Sequence, residues 1–81
     1  MNPRVNKVTP AENYLLYLEF NNGEKRVFDV KPYLQYDVFE DLKAPGIFYS
    51  AKVNDGTVHW QNDTDLCPDT LYLESKPVEK S

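Results

Sequence analysis

The segment HWQNDTDLCPDTLY, residues 59–72, contains most of the residue types that catalysis and metal binding commonly use. The chain's single His, Trp and Cys fall within it, together with Asp63, Asp65 and Asp69. A catalytic His needs an orienting partner and a nucleophile or substrate within reach, whereas hard cations prefer carboxylate oxygens. One hypothesis is therefore a metal-binding, ligand-binding or enzymatic site around residues 59–69.

The metal chemistry available to this segment is limited. A structural zinc site usually needs four nitrogen or sulfur ligands, and the chain has one His and one Cys. The sequence from Asp63 to Asp65 starts like a calcium-binding loop, but the central Gly of such a loop is missing and Pro68 intervenes. Aspartates just before or in the first helical turn are also favoured by its unpaired N–H groups. We expect such a capping role for Asp63, Asp65 and Asp69, with no metal and no cofactor.

A hairpin positions His59. Asp55-Gly56 between two apolar runs, 49–53 and 57–61, predicts a tight turn that places Val53 opposite Val58. On the other face of this hairpin Lys52 lies opposite His59, so His59 is expected to be exposed beside a positive charge. That is a poor setting for a general base.

The remaining chemistry of the segment is also expected to be structural. Cys67 precedes Pro68, which is suited to the first position of a predicted helix at 68–75. Cysteine is usually buried, so we expect a buried or half-buried thiol there. The chain has neither a Gly-rich phosphate loop nor a G-x-S-x-G motif. We therefore expect no enzymatic activity and no catalytic residue.

The rest of the chain predicts a small mixed fold. Asn22-Gly23 indicates a two-residue hairpin turn that places Glu19 opposite Arg26 and Leu16 opposite Asp29. Residues 4–9 alternate like an edge strand, and short helical segments are expected at 29–32 and 38–42. The order β-β-β-α-β-β-α predicts an α+β domain, with a mainly antiparallel sheet of about five strands and short helices on one face. Residues 1–74 would form this single domain, followed by a flexible tail at 75–81.

Composition indicates the number of domains and the expected cellular location of the protein. The chain has 81 residues, which suits one domain, and its lone cysteine cannot form an internal disulfide. That cysteine usage fits a reducing compartment, and no leader or long apolar run is visible. We expect a cytoplasmic protein that does not engage a membrane.

The charge distribution indicates the kind of partner. Residues 36–74 carry two basic and eight acidic side chains, a balance of −6. This disfavours direct binding of nucleic acid and favours a small basic protein partner, although the charge could also serve solubility alone. Candidate contact residues are Trp60, Asp63, Asp65, Asp69 and Tyr72, although for Trp60, which lies opposite Ala51 in the hairpin, core membership is the favoured interpretation. A structural homodimer through the edge strand at 4–9 or through the second face of the sheet is the alternative.

Several spaced residues resemble a known family. An apolar strand ends in Phe, a Gly turn follows, and the next strand ends in an apolar residue plus Asp. A Trp, a short polar loop and an Asp-apolar-x-Pro-Asp-x-Leu-Tyr ending close the pattern. The positions concerned are Phe20, Gly23, Asp29, Trp60, Asp65, Pro68, Asp69, Leu71 and Tyr72. Taken together, they resemble the DUF2442 family of small bacterial domains of unknown function, over nearly the whole chain.

The resemblance implies a non-enzymatic, antitoxin-like role. Many members look to be encoded beside another small protein in an arrangement resembling toxin–antitoxin pairs, and some are fused to a helix-turn-helix that this chain lacks. A molybdenum-cofactor label carried by some relatives has no physical support here, because the chain has no nucleotide-binding loop. One departure is that Asn62-Asp63 stands where the family often has Asn-Gly, which removes the glycine that a tight turn would use.

Overall fold

The computed structural model describes residues 2–78, in which seven strands form two antiparallel sheets. The strands are β1 (Val5–Ala11), β2 (Leu15–Phe20), β3 (Lys25–Asp29), β4 (Lys52–Asn54), β5 (Thr57–His59), β6 (Asp65–Leu66) and β7 (Lys76–Pro77). One sheet has the order β1-β2-β3-β7 and the other has the order β4-β5-β6. The helices are α1 (Pro45–Phe48), α2 (Pro68–Glu74) and three short 3₁₀ helices, Glu12–Tyr14, Lys31–Tyr33 and Asp37–Lys43. The predicted α+β class is confirmed, with two more strands than the expected five.

The first hairpin is shifted by one residue from the expected register. Leu16 pairs with Phe28, not with Asp29. The loop has three residues rather than two: Phe20 N–H donates to the Glu24 carbonyl over 2.9 Å, and Gly23 adopts φ +90° as the third loop residue. The shift places Leu16 and Phe28, both 0% exposed, opposite each other in the core.

The second hairpin has the expected register. Val53 pairs with Val58 and Lys52 with His59, across a two-residue turn. Asp55 and Gly56 both have positive φ, 58° and 81°, as a type I′ turn requires.

The same turn joins the two sheets. Val5 N–H donates to the Gly56 carbonyl over 3.1 Å, and Arg4 Nη1 donates to the Asp55 carbonyl over 2.9 Å. These bonds cover the start of strand β1, which lies at the edge of its sheet as expected. Further along β1, Lys7 and Pro10 discourage pairing with another strand. Pro10 lies within the strand, opposite Leu16, because an edge strand tolerates a missing N–H.

The core lies on one face of the four-stranded sheet. Leu16, Leu18 and Phe20 of β2 point into it, whereas Tyr17 on the opposite face is 44% exposed. The other buried apolar residues are Val5, Phe28, Val30, Leu42, Phe48, Val58, Trp60, Leu66 and Leu71. Within residues 2–78 no helix is long and apolar enough to cross a membrane.

The segment after α2 differs from the expected flexible tail. Ser75 is 5% exposed, and the Arg26 guanidinium holds it by donating to its Oγ and its carbonyl, each over 2.8 Å. Lys76 and Pro77 then pair with β3 as strand β7. In the structure a partly buried arginine contact and strand pairing thus hold residues 75–77, and the last residues of the predicted tail, 79–81, lie outside the described residues.

Candidate functional site

The segment 59–72 contains a third tight turn before the closing helix. Trp60 N–H donates to the Thr64 carbonyl over 2.9 Å, and Asp63 N–H donates to the Trp60 carbonyl over 3.1 Å. Asp63 has φ 68°, and Asn62 Oδ1 accepts the Thr64 N–H over 3.2 Å. The loop repeats the bonding of residues 20–24, with an aspartate in the place of Gly23. A tight turn therefore forms without glycine, since Asp tolerates the left-handed conformation better than most residues.

This turn separates the three aspartates. Asp63 lies in the turn, Asp65 lies in β6 opposite His59, and Asp69 lies in the first turn of α2. The expected capping role is therefore wrong for Asp63 and Asp65, because Asp63 lies in the turn, Asp65 lies in strand β6, and no side-chain bond caps the start of α2. Asp69 has the expected position, and its Oδ1 accepts a bond from Asn2 Nδ2 over 3.3 Å.

Cys67 and His59 differ in burial from what was expected. Cys67 is exposed, not buried, and the helix start at which it lies has no side-chain cap. Hydrogen bonding with Thr70, whose Oγ1 is 3.2 Å from the sulfur, lowers the pKa of the Cys67 thiol. His59 is half-buried, not exposed. Within residues 2–78 no three His, Cys, Asp or Glu side chains come together as a metal-binding group.

Trp60 is a core residue. It is 3% exposed, and its Nε1 donates to the Phe48 carbonyl over 3.0 Å. This bond ties β5 to the end of α1. Trp60 therefore has almost no surface to offer a partner, and its place among the candidate contact residues is corrected.

Tyr72 belongs to a polar cluster that joins α2 to the first hairpin. Its hydroxyl donates to Glu24 Oε2 over 2.6 Å, and the Arg26 guanidinium lies 4.6 Å from the centre of its ring. The bond from Tyr72, followed by one from Asn22, lowers the pKa of Glu24, and the same Glu24 bond raises the pKa of Tyr72. The Tyr72 hydroxyl therefore makes its hydrogen bond within the fold.

A row of aromatic side chains crosses the surface between β3 and α1. Tyr33, Tyr36 and Phe39 recur every three residues, and successive backbone bonds join them: Tyr36 N–H donates to the Tyr33 carbonyl, and Phe39 N–H to the Tyr36 carbonyl. Tyr33 ends one 3₁₀ helix, Phe39 lies in the next, and Tyr36 lies between them with an extended backbone. The Tyr33 ring lies 6.5 Å from the Tyr36 ring and 5.8 Å from the Phe39 ring, centre to centre.

Two shallow depressions adjoin this row, and both are lined by carboxylates. The first has a volume of about 300 Å³ and is lined by Asp29, Pro32, Tyr33, Gln35, Tyr36 and Glu74. The second has a volume of about 350 Å³ and is lined by Val38, Phe39, Asn62, Asp63, Thr64 and Asp65. Neither lining includes a basic side chain. We call the two depressions together the aromatic–acidic surface.

Apolar side chains on this surface are well exposed. Tyr36 is 54% exposed and Val38 is 69% exposed, although both adjoin the core-facing Phe39. A bond from Thr64 Oγ1 to the Val38 carbonyl, at 3.4 Å, holds the 60–64 turn against the Asp37–Lys43 helix. A contiguous exposed apolar patch with a polar rim is a common feature of surfaces that contact other molecules.

The surface includes only part of the predicted contact set. Asp63 and Asp65 line its second depression, whereas Asp69 and Tyr72 line neither depression. Tyr33, Tyr36, Val38 and Glu74 were not among the candidates. The spacing of the aromatic residues at 33, 36 and 39 was the signal that could have indicated the row.

These features describe a small α+β domain with an aromatic–acidic surface. A family model with the description "Protein of unknown function (DUF2442)" matches residues 5–77. The chain belongs to the DUF2442 family, as its spaced residues predicted. No curated protein and no solved structure matches it.

Proposed function

We propose that this protein is a non-enzymatic binding module whose aromatic–acidic surface engages a small basic protein. The proposal includes an antitoxin-like arrangement, in which that partner is the product of a neighbouring bacterial gene and the two meet in the cytoplasm. The observation that carries the proposal is the aromatic–acidic surface itself: four carboxylates line its two depressions, with exposed Tyr36 and Val38 beside them.

The charge around the surface supports a basic partner. Asp37, Glu40 and Asp41 lie on the same 3₁₀ helix as Val38 and Phe39 of the second depression, and each is exposed. Complementary charge increases the rate of association and excludes acidic competitors such as nucleic acids. The exposed apolar side chains supply the contact area that charge alone does not.

The placement of the reactive side chains supports binding rather than catalysis. His59 lies opposite Asp65 across paired strands, yet no hydrogen bond joins their side chains among the described residues. Cys67 lies beyond β6 at the start of α2, where its sulfur contacts Thr70. A nucleophile and a base that act together would need to be within hydrogen-bonding reach of each other.

Co-expression with the neighbouring gene tests the proposal. The two proteins are purified together and run on size-exclusion chromatography at low and high salt. We expect one complex peak at micromolar concentration that dissociates as the salt concentration rises, because salt screens exposed charges. Two separate peaks at low salt would contradict the proposal for that partner.

A further inference from the structure

The geometry points to a subsite within the aromatic–acidic surface: the depression formed by Asp29, Pro32, Tyr33, Tyr36 and Glu74 receives an arginine side chain of the basic partner. This inference rests on the proposed function and adds to it the chemical group that is recognised. It concerns the first depression only, which has a volume of about 300 Å³.

The walls of this depression suit a flat cation. Tyr36, 54% exposed, presents ring surface to solvent, and half-buried Tyr33 and exposed Pro32 line the rest. Tyr33 is held in place by Phe28, whose ring lies 5.3 Å away, so the floor of the depression is anchored in the core. Aromatic faces attract cations, and guanidinium, being planar and weakly hydrated, stacks on them more readily than ammonium does.

The charge of the depression is incompletely balanced. Asp29 Oδ1 is paired with Lys31 Nζ over 3.1 Å, whereas Glu74 has no ion pair among residues 2–78. Glu74 also lies in the last turn of α2, which has no basic residue, and the carbonyl end of a helix disfavours a negative charge. An incoming cation would relieve this repulsion.

The ionisation of Tyr33 agrees with this description. Burial, followed by the nearby Glu74 carboxylate and Tyr36, raises the pKa of the Tyr33 hydroxyl. The contribution from the Glu74 carboxylate is the part that also favours a bound cation. A guanidinium could stack on Tyr36 while donating two bonds to the Glu74 carboxylate, a fork-to-fork arrangement that ammonium cannot make.

A peptide titration tests the subsite without the partner. The probe is acetyl-Gly-Arg-Gly-amide, followed by two-dimensional amide NMR of the ¹⁵N-labelled protein. We expect saturable shifts at residues 29–36 and 74, with a Kd of the order of millimolar. The citrulline analogue, which is neutral and nearly the same shape, should produce no saturable shift, and the lysine analogue should bind at least about twofold more weakly.

Matched variants localise the binding. Glu74→Gln and Tyr36→Ala should each weaken the arginine peptide by about two- to fivefold, as loss of an exposed cation–π or ionic contact would. Tyr17→Ala removes a comparably exposed tyrosine from the outer face of the four-stranded sheet and should leave the Kd unchanged. The dispersion of the amide signals shows whether each variant is folded. If Tyr36→Ala does not fold, Glu74→Gln alone tests the subsite.

Three results would overturn the subsite: equal binding of the citrulline or lysine analogue, an unchanged Kd in Glu74→Gln, or shifts centred on Asp63 and Asp65. The arginine subsite and the proposed function can fail independently of each other. A protein partner that binds while the peptide does not would remove only the arginine subsite, whereas peptide binding without a basic protein partner would remove only the larger proposal.

Discussion

Replacement of Gly56 by alanine should strongly destabilise the fold, because this residue lies where the two sheets meet. A Cβ added at Gly56 would lie 2.8 Å from Arg4 Cβ and 3.0 Å from Arg4 Cγ and Cδ. Gly23 provides a matched control. It has a similar positive φ, +90° against +81°, but nothing lies within 4 Å of an added Cβ. The two substitutions therefore share backbone strain and differ in the steric contact with Arg4.

The magnitudes follow from these two contributions. Left-handed strain costs about 1–2 kcal/mol for an alanine, and the less flexible unfolded chain offsets about 0.4–1 kcal/mol of it. Gly23→Ala should therefore lower the free energy of unfolding by about 0.5–1.5 kcal/mol. At Gly56 the overlap with Arg4 adds about 1–3 kcal/mol, giving a total of about 2–4 kcal/mol. For a domain of this size the Tm should fall by roughly 10–25 °C.

Urea unfolding followed by circular dichroism measures both variants under the same conditions. Arg4→Gly removes the side chain that the new methyl group at position 56 would meet, so in that background the Gly56→Ala effect should approach the Gly23→Ala effect. If Gly56→Ala and Gly23→Ala differ by less than about 0.5 kcal/mol, the close approach of Arg4 does not constrain the turn.

The other predictions concern the remaining turn and the polar cluster. Asp63→Gly should raise the free energy of unfolding by about 0.5–1 kcal/mol, because glycine adopts φ 68° without strain, and a loss of stability in urea would refute this. Because the pKa of Glu24 is lowered in the folded state, its carboxylate stabilises the fold at pH values above its unfolded-state pKa. This stabilisation is lost as the pH falls through the folded-state pKa. Glu24→Gln should therefore flatten the acid side of the stability–pH profile, and an unchanged acid side would count against the cluster. Tyr72→Phe removes the hydrogen bond that is the main cause of the lowered Glu24 pKa, so a ¹³C titration should find this pKa higher than in the wild type. An unchanged pKa would mean that the bond between Tyr72 and Glu24 does not form in solution.

The two predicted hairpins show which features of a hairpin a sequence pattern can predict. Asp55-Gly56 was placed correctly because both of its residues adopt positive φ in a two-residue turn. Asn22-Gly23 supports a two-residue or a three-residue loop equally well, and only the burial of Leu16 against Phe28 selects the longer one. A local turn signal therefore predicts that a hairpin exists more reliably than it predicts its register.

Strands β6 and β7 were not predicted because contacts distant in sequence, and not local patterns, produce them. Strand β6 has two residues and follows a turn in which Asp63 takes the conformation usually given to glycine. Strand β7 also has two residues, and the partly buried contact between Arg26 and Ser75, distant in sequence, holds it beside β3. Neither segment is long enough to show an alternating pattern.

The candidate site was predicted in its charge but not in its geometry. The excess of acidic residues in 36–74 indicated the acidic half, and Asp63 and Asp65 do line the surface. Trp60 is buried, as its position opposite Ala51 favoured, although a tryptophan suits a core and an interface equally well until its neighbours are known. The aromatic row was missed because it spans two short 3₁₀ helices with Tyr36 in an extended conformation between them, whereas helical patterns are usually sought at the α-helical period of 3.6.

The central claim is that the aromatic–acidic surface binds a basic protein, and paired calorimetric titrations test it most directly. The neighbouring gene product is titrated into the wild-type protein, into Tyr36→Ala and into Tyr17→Ala, each at low and high salt. We predict that the Kd rises with salt, that Tyr36→Ala weakens binding further, and that Tyr17→Ala binds like the wild type. Binding that is insensitive to salt, or that Tyr17→Ala weakens as much as Tyr36→Ala does, would contradict the account.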